Sequence, residues 1–324
     1  MASAHSGSDL KSAAPAPSAS TGVEIGVVVC TFNRATRLRF ALESLRTQSL
    51  PPSRFAVTLV DDGSNDDTPA VSAEYKSRLT NLTVLRQDNR GLGAAREAGW
   101  RSCPAPLIGF LDDDAIAPPN WLEKLLAIFA QAAPSIACVG GPVEGDWEVP
   151  PPPWLDADLA RWLTVWTLGT KPVTSRDDML FAGANMTIRR QALEAVGGFD
   201  QTLGRKGLSL LSHEESELWQ RLRLAGWLSH FAPDLPVRHF VPAARLRPSW
   251  FRRRLFWEGI SVARRETKPT SSPRWWRAAK LSLRALVSHQ VRSHLLQPRQ
   301  WRRSIHWQCH VAFKLGYARG MLTR

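Results

Sequence analysis

The chain has 324 residues, 44% of them hydrophobic, and a formal net charge of +13, enough for one large or two modest cores and incompatible with disorder throughout. Its four cysteines (Cys30, Cys103, Cys138, Cys309) form no CxxC pair, which speaks against a zinc site or a disulfide framework and fits the reduced thiols of a cytosolic protein. No apolar stretch approaches the roughly 18 residues of a spanning helix, so the expected location is cytoplasmic, with any membrane contact peripheral and on the cytoplasmic face.

Residues 1–21, rich in Ala, Ser and Pro, read as a disordered leader without the apolar centre of a secretory signal. From residue 25 short β-branched runs alternate with helical segments, the pattern of an α/β fold with a mostly parallel sheet. Residues 25–30 read as a buried strand, followed by a helix over about 35–47 with Leu38, Leu42 and Leu45 on one face. A second strand over 55–60 runs into Asp61, Asp62, Gly63, Ser64 and Asn65, a turn-rich stretch that ends before Pro69. A third strand covers 82–85, a helix follows Gly91 and Gly93, and a fourth strand covers 107–111. Charge is divided unevenly. From 241 to 324, 19 Lys and Arg stand against two Glu, a net of +17, which leaves −4 for residues 1–240 of a chain at +13. A mildly acidic body over 22–240 therefore precedes a basic, Trp-rich helical extension over 241–324, and an anionic partner is expected for the latter.

Asp112, Asp113 and Asp114 directly follow the fourth strand. Three adjacent carboxylates repel one another, so their gathering at the end of a buried strand calls for a cation, most naturally a divalent metal with a phosphorylated ligand. The alternative is an acidic turn or a helix N-cap run before Pro118, Pro119 and Asn120. Both acidic turns follow strand C-termini, the edge at which open α/β sheets bind ligands. Two such turns suit a sugar nucleotide, one reaching the nucleoside and the other holding a metal on the diphosphate.

Six segments occur in order: EIGVVVCTFNRATRLRFALESL, VTLVDDGSNDDT, NRGLGAAREAGW, IGFLDDDAIAPPNWLEKL, FAGANMTIRRQALEAVGGFD and LSHEESELWQRLRLAGW. Over residues 24 to about 265 the chain thereby resembles the family-2 glycosyltransferases of the GT-A fold. The resemblance implies a Rossmann-like α/β fold with a mixed, mostly parallel sheet flanked by helices. It implies that Thr31, Phe32 and Asn33 line the nucleotide pocket and that Asp62 meets the base, where a carboxylate can accept the imide N–H of uracil or thymine or a donor edge of guanine. The bland reading of Asp62 is an Asx-turn. Arg96 would approach the nucleotide or the acidic cluster, or else pair with Glu97 along its helix. The ends of the DxD pattern fall on Asp112 and Asp114, with Asp113 towards the ribose or donor sugar and Mg or Mn as the metal. Gly183, Ala184, Asn185 and Met186 would lie under the donor sugar, and the turn through Gly197 and Asp200 would enter the acceptor-side loop, with Phe199 in the core. Glu215 falls where the family carries its catalytic Asp, one methylene longer, although Glu at a helix N-terminus is favourable by up to ~1 kcal/mol without catalysis. Glu214 and Glu217 are assigned only that effect. His239 is either a third metal ligand or an ordinary structural histidine.

In the extension, WFRRRLFWEGISV mixes aromatics with Arg at helical spacing, and Trp275, Trp276, Trp301 and Trp307 follow among further basic residues. Such a segment suits an anionic membrane face or helices packed on the body with a solvated basic side; nucleic acid ranks below both, since no nucleic-acid motif appears. Processive family members carry QxxRW and spanning helices, whereas the nearest match, QPRQW at 297–301, lacks the Arg. The expected activity is metal-dependent, inverting transfer of one sugar from a UDP, GDP or dTDP sugar to a lipid-linked or saccharide acceptor, in cell-surface polysaccharide or glycolipid synthesis. Trp154, Trp162 and Trp166, after the Pro-rich stretch 150–153, could receive a lipid-linked or aromatic acceptor, with a packed loop as the default. One rival, a nucleotidyltransferase, would show a Gly-rich basic loop where CTFNR stands. The other, a non-catalytic sugar-nucleotide or membrane-binding protein, would bind without turnover.

Overall fold

A computed structural model describes residues 22–179, 181–206, 210–265 and 305–322. The expected leader, Trp275, Trp276, Trp301 and the QPRQW stretch lie outside the described residues.

The first half alternates strand and helix: β1 (Ile25–Thr31), α1 (Ala35–Arg46), β2 (Phe55–Asp61), α2 (Thr68–Arg78), β3 (Leu82–Arg86), α3 (Leu92–Ser102) and β4 (Leu107–Phe110). Parallel pairing joins β3 to β2, β2 to β1 and β1 to β4. The near-continuous apolar run of β1 is explained by burial on both faces. Val27 and Val29 pack with Leu38, Leu42 and Leu45 of α1 and with Val71 and Tyr75 of α2, while Val28 packs on the other face with Trp100 of α3.

The second half contributes β5 (Ala115–Ile116), α4 (Trp121–Gln131), β6 (Ile136–Gly140), β7 (Val143–Trp147), α5 (Ala157–Ala160), β8 (Val173–Ser175), β9 (Met186–Arg189), α6 (Arg190–Val196), α7 (Glu214–Leu224), β10 (Leu228–Phe231), β11 (Val237–Val241), α8 (Pro248–Arg265) and α9 (Ile305–Leu322). The main sheet runs β3-β2-β1-β4-β9-β6-β10-β8, and β9 is antiparallel to both β4 and β6. The apolar side of α4 joins the α1 layer, and α6 and α7 join the α3 layer. A mixed α/β sheet flanked by helices is thus the fold, as the sequence implied.

A second sheet, β5-β11-β7, lies beyond the end of β4. The acid triplet is the link between the two sheets: Leu111 N donates to Val28 O (3.2 Å) on one side and Phe240 N donates to Asp114 O (2.8 Å) on the other. The N-cap position of α4 is Asn120, so the triplet caps no helix. His239 stands in the middle of β11, because pairing with β7 carries that strand on to Val241 opposite Trp147.

After β11 the chain packs back on the body. Phe251 and Leu255 of α8 and Ile305 and Cys309 of α9 form a further apolar cluster with Leu159, Leu163 and Val241, against which Trp154 and Trp162 are packed. The helices α8 and α9 approach through glycine: a Cβ on Gly316 would collide with the backbone of Phe256. Among the described residues no helix is long and apolar enough to cross a membrane. All four cysteines are free thiols.

Candidate active site

At the C-terminal edge of β1, β2 and β4 opens a cleft of about 670 Å³. Thr31, Phe32, Asp62, Arg96, the acid triplet, Gly183, Glu215 and His239 all line it. Two expected contacts do not. Asn33, with φ 53°, ties the first strand's turn to the second: its Oδ1 accepts from Asn65 N (2.8 Å) and its N donates to Ser64 Oγ (2.9 Å). Asn185 lies beneath the cleft with its amide committed inside the protein, accepting from Trp121 Nε1 (3.2 Å) and donating to Pro142 O (3.1 Å) and Leu235 O (2.7 Å). Expected at the donor sugar, it instead supports the floor, since a buried amide seeks partners for all its polar groups.

Asp62 is more than an Asx-turn residue. Its carboxylate accepts from Gln87 Nε2 (2.7 Å), Arg90 N (2.9 Å) and Gly91 N (2.8 Å), which fastens the end of β2 to the start of α3. About one of a carboxylate's roughly four acceptor positions remains for a ligand.

The triplet is divided by its surroundings. Asp113 turns back onto β1, where Thr31 Oγ1 donates to its Oδ2 (2.8 Å); burial, with the neighbouring charge of Asp114, pushes its carboxyl up to about 7 against the opposing pull of Arg34 and Thr31. For Asp114 burial acts in the same direction, but His239, Arg34 and Arg245 outweigh it and hold the group far below the usual carboxylate range. Arg34 Nη1 lies 2.6 Å from Asp114 Oδ2, Arg245 Nη2 3.8 Å from the same atom, and His239 Nε2 3.1 Å from Asp114 Oδ1. One ligand atom each from Asp112, Asp114 and His239 lies within 4.8 Å of the others, so these residues fit a divalent cation through two carboxylates and an imidazole. Strand pairing explains this meeting of distant residues: Ala115, next to the triplet, is the antiparallel partner of His239.

On the facing wall, Arg96 of α3 is buried and bound by three carboxylates: Glu215 Oε1 at 2.7 Å, Glu214 Oε1 at 3.0 Å and Asp112 Oδ1 at 3.3 Å. Its neighbour Glu97 takes no part, being bonded to Trp100 Nε1 (2.6 Å), Arg101 Nε (2.6 Å) and Phe199 N (2.8 Å). From the sequence alone Glu214 has only a helix-terminus effect. It is instead 3% exposed, with one carboxyl oxygen on Arg96 and the other lacking a partner. Burial, then the charge of Glu215, pushes it up to about 8 despite Arg96. Burial acts the same way on Glu215, but Arg96 prevails and lowers it. One member of the pair is thus kept ionised at the expense of the other. Gly183 completes the arrangement, because a Cβ there would run into Glu215 Oε1 and meet Arg96 Nη2 at 2.5 Å.

Sequence reasoning missed Arg34, Arg245 and Glu214. Arg34 directly follows the recognised turn, and Glu214 adjoins the recognised acid, so adjacency could have flagged both. Nothing local marks Arg245.

The model of glycosyl transferase family 2 matches residues 26–197. Glucosyl-dolichyl phosphate glucuronosyltransferase of Haloferax volcanii is 25% identical over 246 residues, covering 74% of this chain and 76% of that protein. Validoxylamine A glucosyltransferase of Streptomyces hygroscopicus subsp. limoneus is 30% identical over 251 residues, covering 66% of this chain and 51% of that protein. Among solved structures, mannosyltransferase PcManGT from Pyrobaculum calidifontis, in complex with GDP-Man and Mn2+, shares the fold with a TM-score of 0.59 at 20% identity, over 93% of this chain and 86% of that one.

The Gly183 contact is open to direct test. In Gly183→Ala the Glu215–Arg96 bond of 2.7 Å should open beyond hydrogen-bond distance in a crystal structure, and thermal unfolding should move to lower temperature, since one bond of a buried arginine is broken. An unaltered pair would contradict this account.

Proposed function

The chain belongs to glycosyl transferase family 2, and we propose that its cleft moves a single sugar from a nucleoside-diphosphate sugar to an acceptor hydroxyl, with inversion and with a divalent metal at Asp112, Asp114 and His239. The observation that carries this reading is Arg96: one buried guanidinium binds both Asp112 of the metal-ligating group and Glu215 of the acid pair. Groups suited to the departing phosphate and to the attacking hydroxyl therefore share one cleft.

In this mechanism Thr31, Phe32 and Asp62 form the nucleoside wall, and the sugar rests over Gly183 and Ala184, where the missing side chain at 183 lets the backbone approach closely. Glu215, kept ionised by Arg96, takes the proton of the acceptor hydroxyl as that oxygen attacks the anomeric carbon. The bond from that carbon to the phosphate oxygen breaks on the opposite face, the nucleoside diphosphate leaves, and a single in-line displacement inverts the centre. Arg34 and Arg245, both at Asp114, add fixed positive charge on the side where phosphate charge develops. Bound Mg or Mn would neutralise the departing diphosphate; the complex of PcManGT with GDP-Man and Mn2+ supports this choice. Trp166, Leu168, Met179, Leu210 and Leu211 line the same cleft and support an acceptor with an apolar portion, such as a lipid-linked saccharide. Arg252, Arg253, Arg264 and Arg265 of α8 are exposed, and we propose that they meet anionic headgroups on the cytoplasmic face of a membrane, where such acceptors would lie.

Asp114→Ala should abolish the metal-dependent part of UDP or GDP binding; equal calorimetric affinities with and without Mn in the wild type would defeat the metal assignment. Once a panel of UDP, GDP and dTDP sugars has identified the donor by thermal stabilisation and product formation, Glu215→Gln should slow transfer by about 10²- to 10⁴-fold while nucleotide affinity persists. Binding without turnover, indifferent to that change, would return the non-catalytic reading. Replacing Arg264 and Arg265 by Gln should weaken flotation with phosphatidylglycerol vesicles at low salt about tenfold or more, at about 1 kcal/mol per arginine; equal flotation would remove the membrane contact.

A further inference from the structure

The helix that carries the acid pair begins in a strained conformation. His213, its N-cap residue, has φ 87° and ψ 8° and makes no side-chain capping bond, although its carbonyl accepts the helix's first hydrogen bond, from Glu217 N at 2.9 Å. Left-handed backbone of this kind persists in a residue with a side chain only where the surroundings hold it. Glu214 and Glu215 are the next two residues, so this turn sets where they point.

The restraint comes from α8. Glu258 Oε1 lies 2.9 Å from His213 Nε2, and its Oε2 accepts from Ser212 Oγ and from Arg254 Nη1, each at 2.9 Å. Three residues further along α8, Ser261 Oγ accepts from Ser212 N at 3.2 Å. Glu258 is 7% exposed. Burial alone would raise its carboxyl, but His213, Arg254 and Ser212 together bring it down to about 2. A buried charge with two hydrogen-bonded partners and a histidine nitrogen 2.9 Å away is a stiff anchor, because displacing it strands those partners. The anchor is itself backed by α9, whose Phe313 carbonyl lies where a Cβ on Gly259, the residue after Glu258, would have to go.

We infer that Glu258 is a positioning residue, fixing the left-handed turn at Ser212 and His213 and thereby the direction in which Glu215 enters the cleft. The helix pair after β11 is then part of the device that sets the base. The inference rests on the reading of Glu215 as the base, but it can be tested apart from it.

In the full chain, Glu258→Gln keeps the size and the acceptor for Ser212 and removes the charge. Hydrogen exchange at amides 214–217 should rise about tenfold or more, with α1 and α4 unchanged. Affinity for UDP or GDP with Mn should stay within about threefold. For the donor found by the panel, kcat should fall about 10- to 100-fold at constant donor KM, the size expected when a reacting group is displaced by about 1 Å. Glycine adopts the turn without strain, so in a His213→Gly background the further loss caused by Glu258→Gln should shrink below about threefold. Unchanged exchange, or an equal fold-loss in both backgrounds, would overturn the inference. Should Glu258→Gln fail to fold, Ser212→Ala, which removes one of the same bonds, is scored by the same exchange measurement. If the wild type transfers no sugar, the transfer reading falls while the exchange experiment still decides this one.

Discussion

The site depends on one buried guanidinium. Three carboxylates, from the end of β4 and from two successive positions of α7, converge on it, Glu214 buried and Asp112 and Glu215 partly exposed, and the guanidinium offsets their mutual repulsion. Arg96 can reach all three because α3 lies on the sheet face that α7 also covers, with Trp100 and Leu218 in one apolar layer. Ordinary packing brings the two helices together, and the charge cluster forms at their ends. Partition within the cluster then follows from geometry: the acid nearest the arginine stays ionised, and the one left with an unpartnered oxygen is driven towards its neutral form.

A second charge cluster is organised by the same logic with the signs reversed. Around Asp114 the protein gathers Arg34, from the turn after β1, with His239 and Arg245, from β11 and the residues just after it. A carboxylate buried so deeply would otherwise take up a proton, and a protonated acid is a poor ligand for a metal. Keeping it charged before any ligand arrives spares the cost of ionising it at the moment of binding. The adjacent Asp113 shows the contrast, since with Thr31 as its bonded partner it stays near neutrality in its pKa.

Much of this was legible in the sequence because it is local. The β-branched runs give β1 to β4 to within about a residue, and the acidic turns announce themselves by composition. What the sequence concealed depends on pairing across long separations. Nothing around residue 239 says that it will lie opposite Ala115, and nothing around residue 245 says that its arginine will approach Asp114. Glu214 was misread for a related reason: at a helix N-terminus an exposed acid and a buried, arginine-bound acid are spelled identically, and only the position of α3 separates them. Asn185 erred the other way, since its place beside Gly183 promised a ligand contact that the needs of Trp121, Pro142 and Leu235 had already claimed.

The small second sheet has a consequence that its size conceals. Successive residues of a strand point to opposite sides, so a shift of one residue between β11 and β5 would turn His239 away from the aspartates and bring Arg238 or Phe240 round in its place. Intermediate arrangements do not exist, because strand parity admits only two. Whether His239 faces the aspartates, where the proposed metal would need it, is therefore a digital property of the fold, decided by the hydrogen-bond ladder before any side chain adjusts. A variant that disturbed the turn before β11 would be expected to produce two discrete populations of molecules, with and without the histidine in place, instead of one population with a gradually loosened site.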